Sequence, residues 1–354
     1  MEAAIKLPES RYAYFKITAL RFLKSKLFIV VIFFLGLAIG LFLHKLNILK
    51  EKPKENFQLK RLYAAGGHLV NPLLGIDNPQ GGDAKLEGIK YSVEEYIRRR
   101  QEKGDVSSVA MYIKDLNTGT WAGINEDENF ATASLIKVPL LIAYLKMAED
   151  DPGLLGKQIK YEREYNLIPQ NIAPEKLPQL GNTYTIDQLL RFMIVYSDNI
   201  STELLADNID LKLLSKVYSD LRLITPELGE SENRISAKGY SAFFRVLYNA
   251  TYLNAESSEK ALKLLSESEF REGIVDGVPE NITVAHKFAE RKYESKVFLP
   301  ETAQLHDGGI VYYPQRPYVI CVLTKGRSLD ILKRVIKDIS QIVYERETSA
   351  MDLL

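Results

Sequence analysis

The sequence predicts an α/β sandwich, in which helices pack on the faces of one antiparallel sheet. Three features of the pattern support this fold class. Two strand-like segments and a helix open the globular part of the chain, several helical segments fill its middle, and three strand-like segments and a helix close it. A sheet assembled from both ends of the domain accommodates that order.

The elements follow in chain order from about Lys85, and the spacing of their apolar residues indicates their type. Predicted helices cover Leu86–Lys103, Ser134–Glu149, Ile186–Tyr196, Ser201–Asn208, Tyr240–Tyr252, Ser257–Ser266 and Leu329–Glu345. Predicted strands cover Val106–Lys114, Trp121–Ile124, Ile282–Phe288, Leu305–Tyr313 and Tyr318–Thr324. The segment His306–Gly309 is interpreted as an Asp-Gly-Gly turn beside a histidine, because no serine lies close in sequence to complete a catalytic triad.

The composition excludes several function classes. Lys and Arg together number 46, as do Asp and Glu, so no net charge favours binding to nucleic acid. The single cysteine, Cys321, excludes an intramolecular disulfide framework. The four histidines are scattered without the spacing of a metal site, so we expect neither a metal nor a cofactor.

An uncharged apolar run, Leu27–Leu43, predicts one membrane-spanning helix within residues 27–46. As a helix this run is about 25 Å long, which is the short limit for a bilayer. A cleaved signal peptide and a buried soluble helix are the alternatives, although no small-residue cleavage site follows the run. Residues 1–26 are then a tail, residues 47–84 a linker, and residues 85–354 the globular domain. Lys and Arg flank both ends, so charge alone leaves the orientation open.

Ser134 and Lys137 lie three residues apart, where a long apolar helix begins. That spacing is nearly one helical turn, so the hydroxyl and the amine share a face. A partly desolvated lysine can take the proton of a serine hydroxyl and make it a nucleophile. The same pattern recurs at Ser257–Lys260 with no other sign of chemistry, and a surface lysine one turn into a core helix is the plainer alternative for Lys137.

The segment Tyr196–Asn199 places three polar side chains directly after an apolar helix. Ser, Asp and Asn are all good N-caps, so capping of the following helix is one interpretation. In the other interpretation these side chains face a cleft, where Ser197 relays a proton to a departing amine and Asn199 holds a substrate amide.

Lys287 lies on the strand-like segment Val284–Glu290 in the last part of the domain. A lysine near a sheet edge suits the binding of a carboxylate, and backbone N–H groups there can face an oxyanion. An ordinary edge-strand lysine is the alternative that this segment alone leaves open.

Taken together, the three motifs resemble those of the penicillin-recognising serine enzymes, most closely the group related to class A β-lactamases. They read SLIK at Ser134–Lys137, YSDN at Tyr196–Asn199 and AHKFAE at Ala285–Glu290, in the same order and over about Lys85–Glu345. The resemblance implies a five-stranded antiparallel sheet beside an all-helical region, with the active-site cleft between them. It also favours a cytoplasmic tail, a single pass through the cell membrane and an extracytoplasmic domain.

By the same resemblance, four residues are catalytic, namely Ser134, Lys137, Ser197 and Lys287. Ser134 would be the acylated nucleophile and Lys137 its proton acceptor. Ser197 would pass a proton to the leaving nitrogen. Acylation of the serine by a β-lactam is the activity that this set implies, which would make the chain a β-lactamase.

The resemblance also implies which groups bind the substrate. Asn199 would hold its side-chain amide, and Lys287 would attract its carboxylate. The backbone N–H groups of Ser134 and Glu290 would form the oxyanion hole. Three alternatives to a β-lactamase stay open. They are D-Ala-D-Ala carboxypeptidase activity on peptidoglycan stem peptides, a catalytically degenerate relative that only binds cell-wall peptide or a partner, and a serine amidase or esterase on the same fold.

The chain departs from the family pattern at two places. Phe288 and Ala289 stand where the family carries Thr or Ser followed by Gly, so a hydroxyl that binds the substrate carboxylate is missing. In the segment Thr225–Gly229, threonine stands where class A enzymes carry the glutamate that activates the deacylating water. Glu227 could substitute only if that loop is rearranged. The sequence therefore supports acylation better than fast turnover of a β-lactam.

Overall fold

The computed structural model describes residues 69–71, 84–224, 233–293 and 302–349. Its helices, numbered α1 to α8 in chain order, are Ala84–Glu102, Lys137–Asp150, Ile186–Val195, Asn199–Ala206, Leu211–Asp220, Ala237–Tyr248, Ala255–Ser266 and Leu329–Ser349. Its strands, numbered β1 to β9, are Val106–Asp115, Trp121–Ile124, Asn129–Ala131, Gln158–Lys160, Thr183–Thr185, Arg234–Ser236, Val284–Tyr293, Thr302–Val311 and Tyr318–Gly326. Short 3₁₀ turns lie at Ala133–Ile136, Leu154–Gly156 and Val275–Gly277.

Five strands form one antiparallel sheet in the order β2-β1-β9-β8-β7. Strands β1 and β2 come from the start of the domain and β7 to β9 from its end, which confirms the predicted assembly from both ends. Strand β7 lies at the edge of this sheet and packs against the 3₁₀ turn Ala133–Ile136. The elements that carry Ser134 and Lys287 are therefore neighbours.

Both faces of the sheet are covered by helices, as the sequence predicts. On β9, Val319, Cys321 and Leu323 face the core that is shared with α2 to α7. The intervening Ile320 and Val322 face the core that is shared with α1 and α8. Burial on both sides explains why this strand is a continuous apolar run rather than an alternating one.

One interpretation of the sequence is wrong. The segment His306–Gly309 does not form a turn, because it lies inside the continuous strand β8. A Cβ atom at Gly309 would stand only 2.3 Å from the carbonyl oxygen of Ala285 on β7. Glycine here permits a close approach between strands, which is a common reason for glycine inside a strand.

Several elements differ from the pattern prediction. The helix predicted from Ser134 begins as the 3₁₀ turn, and α2 follows from Lys137. The three-residue strands of the pairs β3–β6 and β4–β5 are too short to show a period, so they were missed. Helix α5 was also missed, although its buried Leu214, Val217 and Tyr218 have helical spacing.

The predicted tail, the membrane helix and most of the linker lie outside the described residues, as does the loop segment Thr225–Gly229. Within the described residues, no helix is both long enough and apolar enough to cross a membrane. The boundaries at residues 26, 46 and 84 therefore stay predictions.

Candidate active site

A cleft of about 450 Å³ lies beside the sheet edge. Its walls come from four elements: the 3₁₀ turn before α2, the start of α4, the loop between β4 and β5, and strand β7. That volume is within the range of small-molecule sites. The cleft brings together residues of all three motifs, namely Ser134, Lys137, Ser197, Asn199, Phe288 and Glu290.

Ser134 is held by a strained and anchored turn. The residue before it, Ala133, has a φ of 42°, in the left-handed region that non-glycine residues rarely adopt. Such a conformation costs about 1–2 kcal/mol and persists only where the surrounding structure enforces it. The following residue, Leu135, is fully buried in the core and fixes the turn. The Ser134 side chain thus faces the cleft from a rigid support.

Lys137 is the first residue of α2 and is almost fully buried. Its Nζ donates to the carbonyl oxygen of Ser197 at 2.6 Å and to Oδ1 of Asn199 at 2.7 Å, and it lies 3.3 Å from Oγ of Ser197. Among the described residues no hydrogen bond joins this amine to the Ser134 hydroxyl. The first motif is therefore connected directly to the second, and Ser134 lines the same cleft.

The environment of Lys137 makes it a candidate base. Burial lowers the pKa of its amine to about 7, although the charges of Asp198, Glu290 and Glu203 act in the opposite direction. A lysine with this pKa is substantially neutral near pH 7, so it can accept a proton. The alternative of an ordinary surface lysine at this position is excluded, since the residue is 1% exposed.

The second motif divides between helix capping and lining of the cleft, with different residues in each position. Oδ2 of Asp198 accepts the N–H of Ser201 at 2.6 Å and so caps the N-terminus of α4. Ser197 is buried and has a φ of 58°, and Asn199 meets the Lys137 amine. Asp198 is thus structural, whereas its two neighbours face the cleft.

Lys287 approaches the same hydroxyl from the sheet. Its Nζ donates to Oγ of Ser197 at 2.8 Å and to the carbonyl oxygen of Phe288 at 2.9 Å. The side chain is fully buried, and burial together with the charge of Lys137 lowers its pKa well below the usual value, while Asp307 opposes the shift. The Ser197 hydroxyl therefore lies between two buried amines.

Phe288 occupies the position where the family carries a hydroxyl. Its ring stacks on that of Phe270 with 4.0 Å between centroids, and it is 4% exposed. The Lys287 Nζ lies 4.2 Å from the centre of the same ring. The cleft wall is therefore apolar where a carboxylate-binding hydroxyl would stand.

Glu290 has a role for its side chain that the sequence did not suggest. Its carboxylate accepts the backbone N–H of Asn171 at 2.6 Å, the Asn171 side-chain amide at 2.8 Å, and the N–H of Ile172 at 3.3 Å. The loop that supplies these donors, residues 161–182, also donates from Gln170 Nε2 to the carbonyl oxygen of Ser197 at 3.0 Å. This loop thus spans the cleft from the second motif to β7.

Two other observations complete the comparison with the predicted residues. The second Ser-x-x-Lys pattern is structural, because Lys260 pairs with Asp187 at 2.6 Å and neither residue lines the cleft. Glu203, which the sequence analysis did not consider, does line it. A signal was available, since Glu203 follows Asn199 by four residues on one helix and so shares its face. No group of three or more possible metal ligands lies among the described residues.

Comparisons with known proteins agree with this geometry. A family model described as the beta-lactamase enzyme family matches residues 92–346. Beta-lactamase VEB-1 of Pseudomonas aeruginosa is 22% identical over 288 residues, covering 74% of this chain and 91% of that protein. Two solved structures are similar in fold. The structure of PBP-A has a TM-score of 0.60 at 19% identity and covers 76% of this chain and 97% of its own. A beta-lactamase from Sphaerobacter thermophilus has a TM-score of 0.58 at 23% identity, covering 76% and 98%.

Proposed function

The chain belongs to the beta-lactamase enzyme family, and on that premise we propose that it is a serine hydrolase that β-lactams acylate on Ser134. One observation carries the proposal. The Ser197 hydroxyl lies 2.8 Å from the Lys287 amine and 3.3 Å from the Lys137 amine, in the cleft that Ser134 lines. This arrangement offers a base near the nucleophile and a hydroxyl that can pass on its proton.

The acylation step uses these groups in order. The Ser134 oxygen attacks the lactam carbonyl carbon, and neutral Lys137 takes the hydroxyl proton. The carbon–nitrogen bond then breaks, and the Ser197 hydroxyl delivers its proton to the leaving nitrogen. Ser197 is replenished from the Lys137 ammonium, so the amine is neutral again and the product is an ester on Ser134. The lowered pKa of Lys137, about 7, supports its part in this route.

The backbone N–H groups of Ser134 and Glu290 are proposed to stabilise the oxyanion that forms during attack. Removing one such donor typically costs about 3–4 kcal/mol of transition-state stabilisation. The contacts of the 161–182 loop with the Glu290 carboxylate support this assignment, because they hold that end of β7 at the cleft.

A second candidate is a D-Ala-D-Ala carboxypeptidase-like enzyme. The sequence favours it, because Thr225 stands where class A enzymes carry the glutamate that activates the deacylating water. A catalytically degenerate binder of cell-wall peptide is favoured by Phe288 instead, because a wall without a hydroxyl offers a weaker site for a substrate carboxylate. The two enzymes differ in the lifetime of the penicillin ester, which persists in a peptidase-like enzyme and decays in a lactamase.

Incubation of the purified full chain with benzylpenicillin tests the proposal. Intact-mass measurement is expected to show one added penicillin per chain, and peptide mapping to place it on Ser134. Heat-denatured protein serves as the control and should stay unlabelled, since the reaction needs the folded cleft. An unlabelled native protein, or a label on another residue, would refute the proposal.

We further propose that Leu27–Leu43 anchors the chain in the cell membrane with the domain on the extracytoplasmic side. The absence of charge over this run in the sequence supports an apolar anchor. Deleting residues 27–43 is expected to move the protein from the membrane fraction to the soluble fraction. Protease added to cells with a permeabilised envelope but an intact cell membrane should digest the domain. Release of the full chain by an alkaline carbonate wash would contradict the anchor.

A further inference from the structure

The deacylating water needs a base, and only two carboxylates line the described part of the cleft. They are Glu203 on α4 and Glu290 on β7. The Glu290 carboxylate already accepts three hydrogen bonds from the 161–182 loop. Asp198, which lies nearby, is buried and committed to capping α4. Glu203 is the carboxylate that these contacts leave available.

Glu203 lines the cleft from the same helix as Asn199. It follows Asn199 by one turn of α4, and Asn199 Oδ1 accepts the Lys137 amine at 2.7 Å. The charges of Glu203 and Lys137 each act on the pKa of the other. Glu203 lines the cleft together with Ser134, and part of the residue is open to solvent.

Its carboxylate is suited to accept a proton. Within the described residues it makes no hydrogen bond. Partial burial and the charge of Asp207 raise its pKa above that of an ordinary glutamate, while Lys137 opposes the shift. A carboxylate with a raised pKa is a stronger base than an ordinary one.

We propose that Glu203 is the general base that activates water to hydrolyse the ester on Ser134. This inference rests on the proposed function. The water oxygen attacks the ester carbonyl carbon while Glu203 takes one of the water protons. The bond between that carbon and the Ser134 oxygen then breaks, and the proton passes to Ser134. The released product is a carboxylic acid, and Ser134 and Glu203 return to their starting states. Glu203 thus supplies the base that Thr225 cannot.

The test measures formation and decay of the penicillin ester separately, by intact mass, on the full chain in detergent micelles. Glu203→Gln keeps the size of the side chain and removes its basicity. We expect the ester to form within about threefold of the wild-type rate. Its decay should be at least about 10²-fold slower than in wild type. Glu203→Asp, which keeps a carboxylate, should recover part of the decay rate.

Glu227→Gln is the matched comparison, since it changes the carboxylate two residues after Thr225 in the sequence, and we expect the wild-type decay rate. Equal decay in wild type and Glu203→Gln would overturn the inference while leaving acylation intact. Slower decay in Glu227→Gln alone would also overturn it. An effect of Glu203→Gln on ester formation alone would mean that Glu203 acts only through Lys137, again overturning it. A wild-type protein that forms no ester would instead refute the proposed function, and this inference with it.

Discussion

Formation of the penicillin ester is expected to vanish in Ser134→Ala and to fall about 10³-fold in Lys137→Ala. The first change removes the attacking oxygen. The second removes the base whose amine contacts Ser197 and Asn199 at the back of the cleft. Stopped-flow measurement of ester formation with a fluorescent penicillin gives both rate constants. Ester formation in Ser134→Ala would show that another residue is the nucleophile.

The pH dependence of ester formation tests whether Lys137 accepts a proton or contributes only its charge. The pKa of Lys137 is lowered to about 7, and the base must be neutral. The rate of ester formation should therefore rise with pH through about 7 and then level off. Lys137→Arg keeps the positive charge but cannot lose its proton, so it should be as slow as Lys137→Ala. Lys146→Ala, on the solvent side of the same helix, is the control and should react like wild type.

The sequence predicted most of the fold because burial on both sheet faces leaves a strong signal. The continuous apolar strand Tyr318–Thr324 and the amphipathic helix Leu329–Glu345 correspond to β9 and α8 with ends moved by a few residues. Where the signal failed, glycine was ambiguous. The pair Gly308–Gly309 is typical of a turn by composition, yet both residues lie inside β8, where Gly309 permits the close approach of β7.

The motifs predicted which residues meet in the cleft, but they could not show how. Spacing placed Ser134 beside Lys137, whereas the hydrogen bonds of that amine go to the second motif. The contact between Glu290 and Asn171 joins residues that are far apart in the chain, so no local sequence pattern could predict it. Glu203 follows Asn199 by one turn of the same helix, so its place in the cleft could have been predicted from the sequence.

Replacement of Asp307 by alanine is expected to lower the free energy of unfolding by about 3–5 kcal/mol. Its Oδ1 lies 2.8 Å from Nδ1 of His286, and its Oδ2 accepts the N–H of Ile274 at 2.9 Å. All of these groups are buried, so the variant leaves two polar groups without a partner and without water. Urea denaturation monitored by tryptophan fluorescence measures the loss. An Asp307→Ala variant within 1 kcal/mol of wild type, on the order of one hydrogen bond, would contradict it.

Two control variants test whether the loss of stability in Asp307→Ala comes from burial rather than from loss of a charge. Asp151→Ala breaks a surface pair with Lys157, whose side chains are 49% and 60% exposed, and should leave the urea midpoint close to that of wild type. Asp307→Asn keeps one side-chain oxygen for one of the two partners, and its stability should fall between those of Asp307→Ala and Asp151→Ala.

Asp307 also affects the active site, because its charge opposes the lowering of the pKa of Lys287. Asp307→Asn removes that charge, so it should also weaken the hold of Lys287 on its proton and hence the hydrogen bond that this amine donates to Ser197.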